Sequence, residues 1–261
     1  MEVVITADAG AAADTVAAVV MRTLRSRPAP VLGLATGSSP IEAYRRIIAA
    51  YRRGEVSAAH ASAVLLDEYV GLPDGHPETY RAFIRRELID EIDLPVERLF
   101  GPDVTAADLA AACARYDRLI AELGGVDVQL LGIGTDGHIG FNEPSSSLSS
   151  RTRIKTLTRA TRADNARFFD DRAEAVPRHV VTQGLGTILE ARHLLLIATG
   201  EVKAEAIARA VEGPLSAMCP ASVLQLHAHA TIVVDEAAAT ALTLAEYYRE
   251  SYANKPAWQT L

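Results

Sequence analysis

At 261 residues with 49% apolar content, the chain can bury roughly three quarters of the surface its unfolded form exposes, so a core needs neither disulfides nor a cofactor to hold it together. Its 33 acidic residues against 26 basic ones leave a net charge of -7, which disfavours a nucleic-acid or anionic-membrane binder and requires any anionic ligand to be met by a local cluster of cations. Cys113 and Cys219 lie far apart without CxxC or metal spacing, no basic-then-apolar leader opens the sequence, and no apolar run reaches the ~18 residues of a membrane span, so the expectation is a cytoplasmic protein with reduced thiols.

In chain order, strand-like and helix-like segments alternate. Val3 to Thr6 reads as a strand, Asp8 as an N-cap, and Ala9 to Ser26 as an alanine-rich helix with Val16, Val19, Val20 and Leu24 on one face. Val31 to Ala35 is a second strand, followed by the turn Thr36-Gly37-Ser38-Ser39-Pro40, with Pro40 at the first helical position, and a helix from Ile41 to Arg53. Ala63 to Leu66 is a third strand ending at Asp67-Glu68-Tyr69, and Pro77 opens a helix to about Asp90. A helix over Thr105 to Leu123 precedes the apolar run Val126 to Ile133, which holds polar Asp127 and Gln129 and is stopped by glycines. A basic extended segment (Arg151 to Leu157) and a polar helical stretch (Arg159 to Phe169) come next. The remainder reads as a strand (Leu194 to Ala198), a helix (Glu201 to Val211), a strand (Thr231 to Val234) and a terminal helix to about Arg249. This alternation predicts an α/β fold, a three-layer α/β/α arrangement around a mostly parallel, open Rossmann-like sheet. No repeat, low-complexity tract or linker divides residues 1–261, so a single domain is expected.

In such a sheet, ligands collect outside the carboxyl ends of the strands. Four ends carry chemistry. The turn at Gly37, Ser38 and Ser39 offers free backbone N–H groups, a helix dipole and hydroxyls, which suit a phosphate monoester or merely start a helix; it lacks the spacing and the lysine of a Walker A loop. The Asp67-Glu68 carboxylate pair is either a general base with a raised pKa or the cap of the next element. Gly132-Ile133-Gly134-Thr135-Asp136-Gly137 matches G-x-G-x-x-G literally, but Asn142 and Pro144 break the helix that this fingerprint requires, and Asp136 would face a pyrophosphate's charge. A proton relay fits better, with His138 titrating near neutrality between Asp136 and Glu143. The fourth end is Thr199-Gly200-Glu201-Val202-Lys203, where a lysine in the first helical turn opposes the dipole unless an anion lies nearby. His227 and His229 alternate in sequence but have no third ligand at metal spacing, so zinc is not expected.

Four blocks together carry a resemblance: Leu32-Gly33-Leu34-Ala35-Thr36-Gly37-Ser38-Ser39-Pro40, Leu66-Asp67-Glu68-Tyr69-Val70-Gly71-Leu72, Gly132 through Pro144 (GIGTDGHIGFNEP), and Ser149 through Leu157 (SSRTRIKTL). They closely resemble the glucosamine-6-phosphate deaminase (isomerase) family from near residue 1 to about residue 250. The resemblance implies conversion of glucosamine 6-phosphate and water to fructose 6-phosphate and ammonia, in amino-sugar catabolism, with no metal or organic cofactor. Matched residue by residue, it implies Asp67 as the enolisation base, His138 as the ring-opening group supported by Asp136 and Glu143, and phosphate ligands at Gly37, Ser38, Ser39, Arg167 and Lys203. It also implies a mobile lid around residues 158–176. The departures are Ala35, Ser38-Ser39, and Gly140 where relatives more often carry Ala; none removes a group the chemistry uses.

Arg151, Arg153 and Lys155 alternate, so an extended strand would point all three to one face. In allosteric members of the family, positions matching Ser146, Arg153 and Lys155 bind N-acetylglucosamine 6-phosphate between subunits, and a tyrosine such as Tyr247 joins them. A homo-oligomer, a hexamer above others, activated by that ligand is therefore expected. Two rival readings are a 6-phosphogluconolactonase-like hydrolase, which would not be expected to carry the Asp67-to-Gly71 and Phe141-to-Pro144 blocks, and a non-catalytic sugar-phosphate sensor, which would carry a DNA-binding helix pair and need no acid/base set.

Overall fold

The computed structural model describes residues 1–73, 75–256 and 258–261. It begins with β1 (Glu2–Thr6) and α1 (Ala9–Ser26), where the Asp8 carboxylate accepts the Ala11 N–H at 2.8 Å and so satisfies one of the helix's free donors. The helix buries Ala12, Val16, Val19, Val20 and Leu24, and each Val or Leu so covered contributes about 1.5–3 kcal/mol. Next come β2 (Val31–Leu34), α2 (Ile41–Arg52), β3 (Ser62–Leu65), β4 (Asp67–Val70) and α3 (Tyr80–Glu87). They are followed by β5 (Leu99–Phe100), α4 (Leu109–Glu122), β6 (Val128–Leu131), β7 (Arg153–Thr156), α5 (Arg159–Asn165) and β8 (His179–Thr182). The chain closes with α6 (Leu185–Ile188), β9 (Leu194–Ala198), α7 (Ala204–Val211), β10 (Ala230–Asp235) and α8 (Ala245–Ala253). None of the helices among the described residues is long and apolar enough to cross a membrane.

Seven strands form one sheet in the order β1-β10-β9-β6-β2-β3-β5, every pair parallel, with helices on its faces. The α/β class and open parallel sheet agree with the sequence reading. Buried parallel strands have no polar face, which is why β2, β6, β9 and β10 are covered throughout. The polar Asp127 ahead of β6 has a local use: its carboxylate accepts the Val31 N–H at 2.9 Å and pairs with Arg192 at 3.3 Å, so it ties the entrances of β2 and β6 together. From β2 the chain proceeds outward to β3 on one side, and β6 returns on the other. The β2/β6 boundary is thus the switch point at which a crevice opens above the strand ends.

A second, three-stranded antiparallel sheet, β4-β8-β7, was not expected from the alternation. After Leu66 the chain leaves the large sheet, and Asp67-Glu68-Tyr69-Val70 becomes a strand of the small one rather than a mere strand end. Its partner β8 was missed because four residues of mixed character, HVVT, carry too little periodicity to distinguish them from loop. Two helices are shorter than expected. A His76–Thr79 turn precedes α3, whose cap is Thr79, so Pro77 does not start it; the Asp103 carboxylate holds the Thr105 N–H in a local turn, and α4 waits for its cap at Asp108. Pro40 is the N-cap of α2, not its first helical residue.

The row register of the small sheet places Asp67, Thr182 and Arg153 side by side across its three strands. Arg151, read from sequence as sharing one strand face with Arg153 and Lys155, lies outside the strand β7. It precedes β7, and its guanidinium turns to Asp117 at 3.3 Å and to Glu190.

Candidate active site

The crevice above the switch point is a cleft of about 520 Å³. Gly37, Ser38, Ser39, Asp67, His138, Arg167 and Lys203, expected from sequence to act together, all line it. Asp136 and Glu143 stand behind this lining, while Ser146, Arg153 and Lys155 lie outside it.

The turn after β2 ends at α2, whose N-cap Pro40 makes no side-chain cap. The hydroxyls of Ser38 and Ser39 are therefore not spent on the helix, and they stand with its free amides and positive dipole end at the cleft. Across the cleft, Lys203 ends the short turn Glu201–Lys203 that leads into α7 and donates from Nζ to the Ile133 carbonyl at 2.7 Å. Its ammonium is held below the usual lysine range by burial first and by the charge of Arg167 second, against weaker opposition from Asp164 and Asp136. Neither Lys203 nor Arg167 has a carboxylate at salt-bridge distance among the described residues; Arg167 instead lies 4.8 Å over the Phe168 ring. Two cations converging with two hydroxyls and a helix start are an arrangement suited to receive an anion.

The loop after β6 holds Asp136 and His138, two of the three residues read from sequence as a proton relay. His138 Nδ1 lies 2.6 Å from Asp136 Oδ1, and the same oxygen accepts the His138 backbone N–H at 3.1 Å. A carboxylate at Nδ1 fixes the tautomer with the proton there, leaving Nε2 as a free acceptor. Burial works to raise the Asp136 carboxyl, but the hydrogen bond and charge of His138 outweigh it and hold the group below its ordinary value. Gly134 permits this geometry: a Cβ there would fall 2.1 Å from the imidazole Cε1. Gly140, at φ +53°, brings backbone to the other carboxylate, since a Cβ there would lie 3.0 Å from Thr182 Oγ1 and 3.5 Å from Asp67 Oδ2.

Glu143 does not take the place expected for it at the His138 ring. Its carboxylate is 6% exposed and accepts from Thr158 Oγ1 at 3.2 Å and from Thr161 Oγ1, the cap and first turn of α5. A loop read from sequence keeps Asp136, His138 and Glu143 within eight residues, but backbone direction decides which two meet.

Asp67 is 5% exposed, and burial, then the neighbouring Glu68 charge, hold its carboxyl well above the usual range. The structure divides the Asp67-Glu68 pair, with the capping role going to Glu68. Asp67 faces the cleft, while Glu68 accepts the Tyr80 N–H at 2.9 Å and the Arg81 N–H at 2.9 Å at the start of α3.

Sequence reasoning missed the aromatic wall. Tyr69, Tyr80, Phe83, Phe141, Phe168 and Phe169 line the cleft, six of the fourteen aromatic residues of the chain. Tyr80 stacks on Phe141 at 6.0 Å with planes 5° apart, and Phe169 meets Tyr69 edge-on at 5.6 Å. The available signal was scarcity: in a chain with 5% aromatics, most of those near the motif blocks converge on them.

Outside the cleft, Arg153 donates to Asn142 Oδ1 at 2.8 Å, and Asn142 Nδ2 donates to the carbonyls of Ile139 at 3.0 Å and Gln183 at 2.8 Å. The Arg153 guanidinium, pushed down by burial, has no carboxylate partner among the described residues, and the buried Ser146 Oγ has no hydrogen bond. His227 and His229 are otherwise engaged: His227 Nε2 meets the Ala191 carbonyl at 2.8 Å, and His229 stacks on His193 at 3.7 Å.

Residues 6–233 match the sequence profile of the family described as glucosamine-6-phosphate isomerases/6-phosphogluconolactonase. A glucosamine-6-phosphate deaminase of Streptomyces coelicolor is 60% identical over 259 residues, covering 99% of each chain. One of Mycolicibacterium smegmatis is 55% identical over 263 residues, again covering 99% of each. Among solved structures, a monomeric glucosamine-6-phosphate deaminase superposes with a TM-score of 0.90 at 39% identity, over 92% of this chain and 100% of its own. The 6-phosphogluconolactonase of Trypanosoma brucei shares the fold, at a TM-score of 0.68 and 18% identity over 91% of this chain and 97% of its own.

Proposed function

The chain belongs to the family of glucosamine-6-phosphate isomerases and 6-phosphogluconolactonases, and within it we propose that it is a glucosamine-6-phosphate deaminase, releasing fructose 6-phosphate and ammonia. The observation that carries the reading is the pairing of a buried Asp67, whose carboxyl is held well above the usual range, with the His138–Asp136 couple around one anion-ready cleft. A lactone hydrolysis has no carbon acid to ionise and gives a carboxylate at Asp67 no work, and the lactonase relatives share the fold alone.

The chemistry comes from the side chains. Gly37, Ser38, Ser39, Arg167 and Lys203 take the phosphate, whose two negative charges relieve the Lys203–Arg167 repulsion. Nε2 of His138, kept as an acceptor by Asp136, takes the anomeric hydroxyl proton as the ring C–O bond breaks and gives a proton to the ring oxygen. Asp67, made more basic by burial, removes the C2 proton and returns it to C1, converting the open aldose amine into a C2 iminium. Water adds at C2, and ammonia leaves. No metal or organic cofactor enters this sequence of steps. Glu143, through Thr158 and Thr161, connects the relay loop to the segment around 158–176, which is the lid in this reading and delivers Arg167. Residues 1–261 are taken as one domain.

Regulation is the finer part of the proposal. Arg153, without a carboxylate partner among the described residues, the unsatisfied Ser146 hydroxyl and Lys155 support a site for an anionic sugar phosphate, N-acetylglucosamine 6-phosphate, in a cytoplasmic homo-oligomer that we take to be a hexamer. A monomer serves the related deaminase at 39% identity, so sedimentation and kinetics with the acetylated sugar phosphate must be read together; a monomer with unaltered hyperbolic kinetics sinks the regulatory part alone. The main reading is tested by supplying glucosamine 6-phosphate and assaying ammonia and fructose 6-phosphate in equal amounts. Hydrolysis of 6-phosphogluconolactone with neither product formed would overturn it.

A further inference from the structure

Of the Asp67-Glu68 pair, the proposed reaction uses only Asp67. Glu68 is nevertheless 5% exposed, and it is held by three backbone donors: Oε1 accepts from the N–H of Tyr69 at 2.8 Å and of Tyr80 at 2.9 Å, and Oε2 from that of Arg81 at 2.9 Å. Amide donors of this kind favour the ionised form of a buried carboxylate. Burial lifts its pKa, and the three amides and the Arg81 charge work against that rise.

The placement serves two purposes at once. On β4, successive side chains alternate, so Asp67 and Tyr69 share one face and Glu68 takes the other. Glu68 therefore sets its carboxylate on the face of β4 opposite Asp67 without competing for the cleft. Its other end holds the start of α3. Thr79 caps α3 only at the Ala82 N–H, at 3.2 Å, leaving the amides of Tyr80 and Arg81 to Glu68. Tyr80 is the first residue of that helix, and its ring is part of the cleft wall, tilted on Tyr69 at 4.9 Å and stacked on Phe141.

We propose that Glu68 is a positioning residue for the deamination: it latches Tyr80 into the cleft wall through α3 and sets a second carboxylate behind Asp67 on the opposite face of β4. The proposal rests on the deaminase reading with Asp67 as base. The titratable and charged groups that bear on Asp67 are Glu68 and Tyr69 on β4, Tyr80 on α3, Tyr116 on α4, Arg153 two strands away on β7, and the His138–Asp136 couple of the β6 loop. Tyr69, Tyr80 and Tyr116 are all buried and held protonated, so none of them replaces the Glu68 charge.

Two substitutions separate the two purposes. Glu68→Gln removes the charge and keeps an oxygen for Tyr69 and Tyr80; Glu68→Asp keeps the charge and shortens the reach to α3. The measurement is kcat/KM for glucosamine 6-phosphate against pH, with wild type alongside so that titration of the substrate cancels. Glu68→Gln is expected to move the acid limb to lower pH by about one unit, because Asp67 ionises more readily once the neighbouring charge is gone. Glu68→Asp is expected to leave the limb in place and raise KM several-fold as Tyr80 loosens. A Gln variant whose acid limb superposes on that of wild type overturns the proposal, since a cap without electrostatic function would cost stability and leave the limb alone. If the Gln variant does not accumulate as folded protein, the Asp variant decides: a displaced limb, or an unchanged KM, overturns it. A wild type that makes no ammonia is a different failure, that of the deaminase reading itself.

Discussion

The large sheet and the small sheet meet at the cleft but are built to different standards. Strands β6, β9 and β10 are covered along their whole length by one continuous apolar core. The small sheet rests on a cluster of six buried residues, Tyr69, Phe141, Leu157, Phe169, Val176 and Val180, and its edge strand β7 leaves Ile154 46% exposed. The large body contributes the Ser38–Ser39 turn, the His138 loop and Lys203, groups that need fixed positions relative to one another. From the small one come Asp67, Tyr69 and, through Phe169, the segment bearing Arg167. The proposed base and the proposed lid therefore rest on one thin core, and in that proposal a change in one reaches the other.

The most drastic way to break this comparison is to remove the base and ask whether the small body still stands. Asp67→Asn keeps the shape of a 5% exposed side chain and takes away a charge that burial disfavours, so the fold should survive with unchanged or higher stability. The rate should fall by roughly 10²- to 10⁴-fold, the usual share of a positioned general base, and exchange of the C2 proton with solvent should vanish. Exchange retained within tenfold of wild type would take Asp67 out of its role.

A paired substitution sharpens the contrast between the two cores. Leu196→Ala, in a fully buried position of β9, should lower global stability by about 2–5 kcal/mol and leave kcat of the folded enzyme nearly unchanged. Phe169→Ala, in the small cluster, should raise KM several-fold and speed amide exchange across residues 158–176 while shifting the global unfolding midpoint much less. Equal shifts in the two midpoints would show that the two cores unfold as one unit.

The two bodies were unequally legible in sequence. The parallel sheet announces itself because its strands are apolar runs separated by helices, and periodicity carries that signal. The small sheet does not, because Asp67-Glu68-Tyr69-Val70 and His179-Val180-Val181-Thr182 are short, mixed in polarity and joined across more than a hundred residues. Cleft-lining residues at strand ends, Ser38, His138 and Lys203, were recoverable from the rule that ligands gather there. Which carboxylate meets which partner was not: Glu143 turns to Thr161, Asp136 alone takes the imidazole, and Glu68 caps a helix twelve residues on. Such choices depend on backbone direction within a loop, to which residue spacing is blind.

Acid separates the bodies by their titrations, with a smaller effect. His193 lies at the start of β9, at the end of the large sheet away from the cleft, 5% exposed, with Nε2 on Thr231 Oγ1 at 2.8 Å and its ring stacked on His229. Burial first, then the charges of His229, Arg22 and His227, push its pKa down from 6.5 to about 3. The unfolded chain then binds a proton that the folded one refuses, so the neutral ring's contribution is whole above 6.5 and is lost as pH falls toward 3. The loss is at most about 1.4 kcal/mol per pH unit across that window. His193→Gln, which keeps a partner for Thr231, should flatten the acid slope of the urea midpoint by that amount. It should leave the acid limb of kcat/KM untouched, because that limb belongs to Asp67 on the other body. A variant in which both curves move together would mean that acid failure of the large sheet, and not protonation of Asp67, ends activity at low pH.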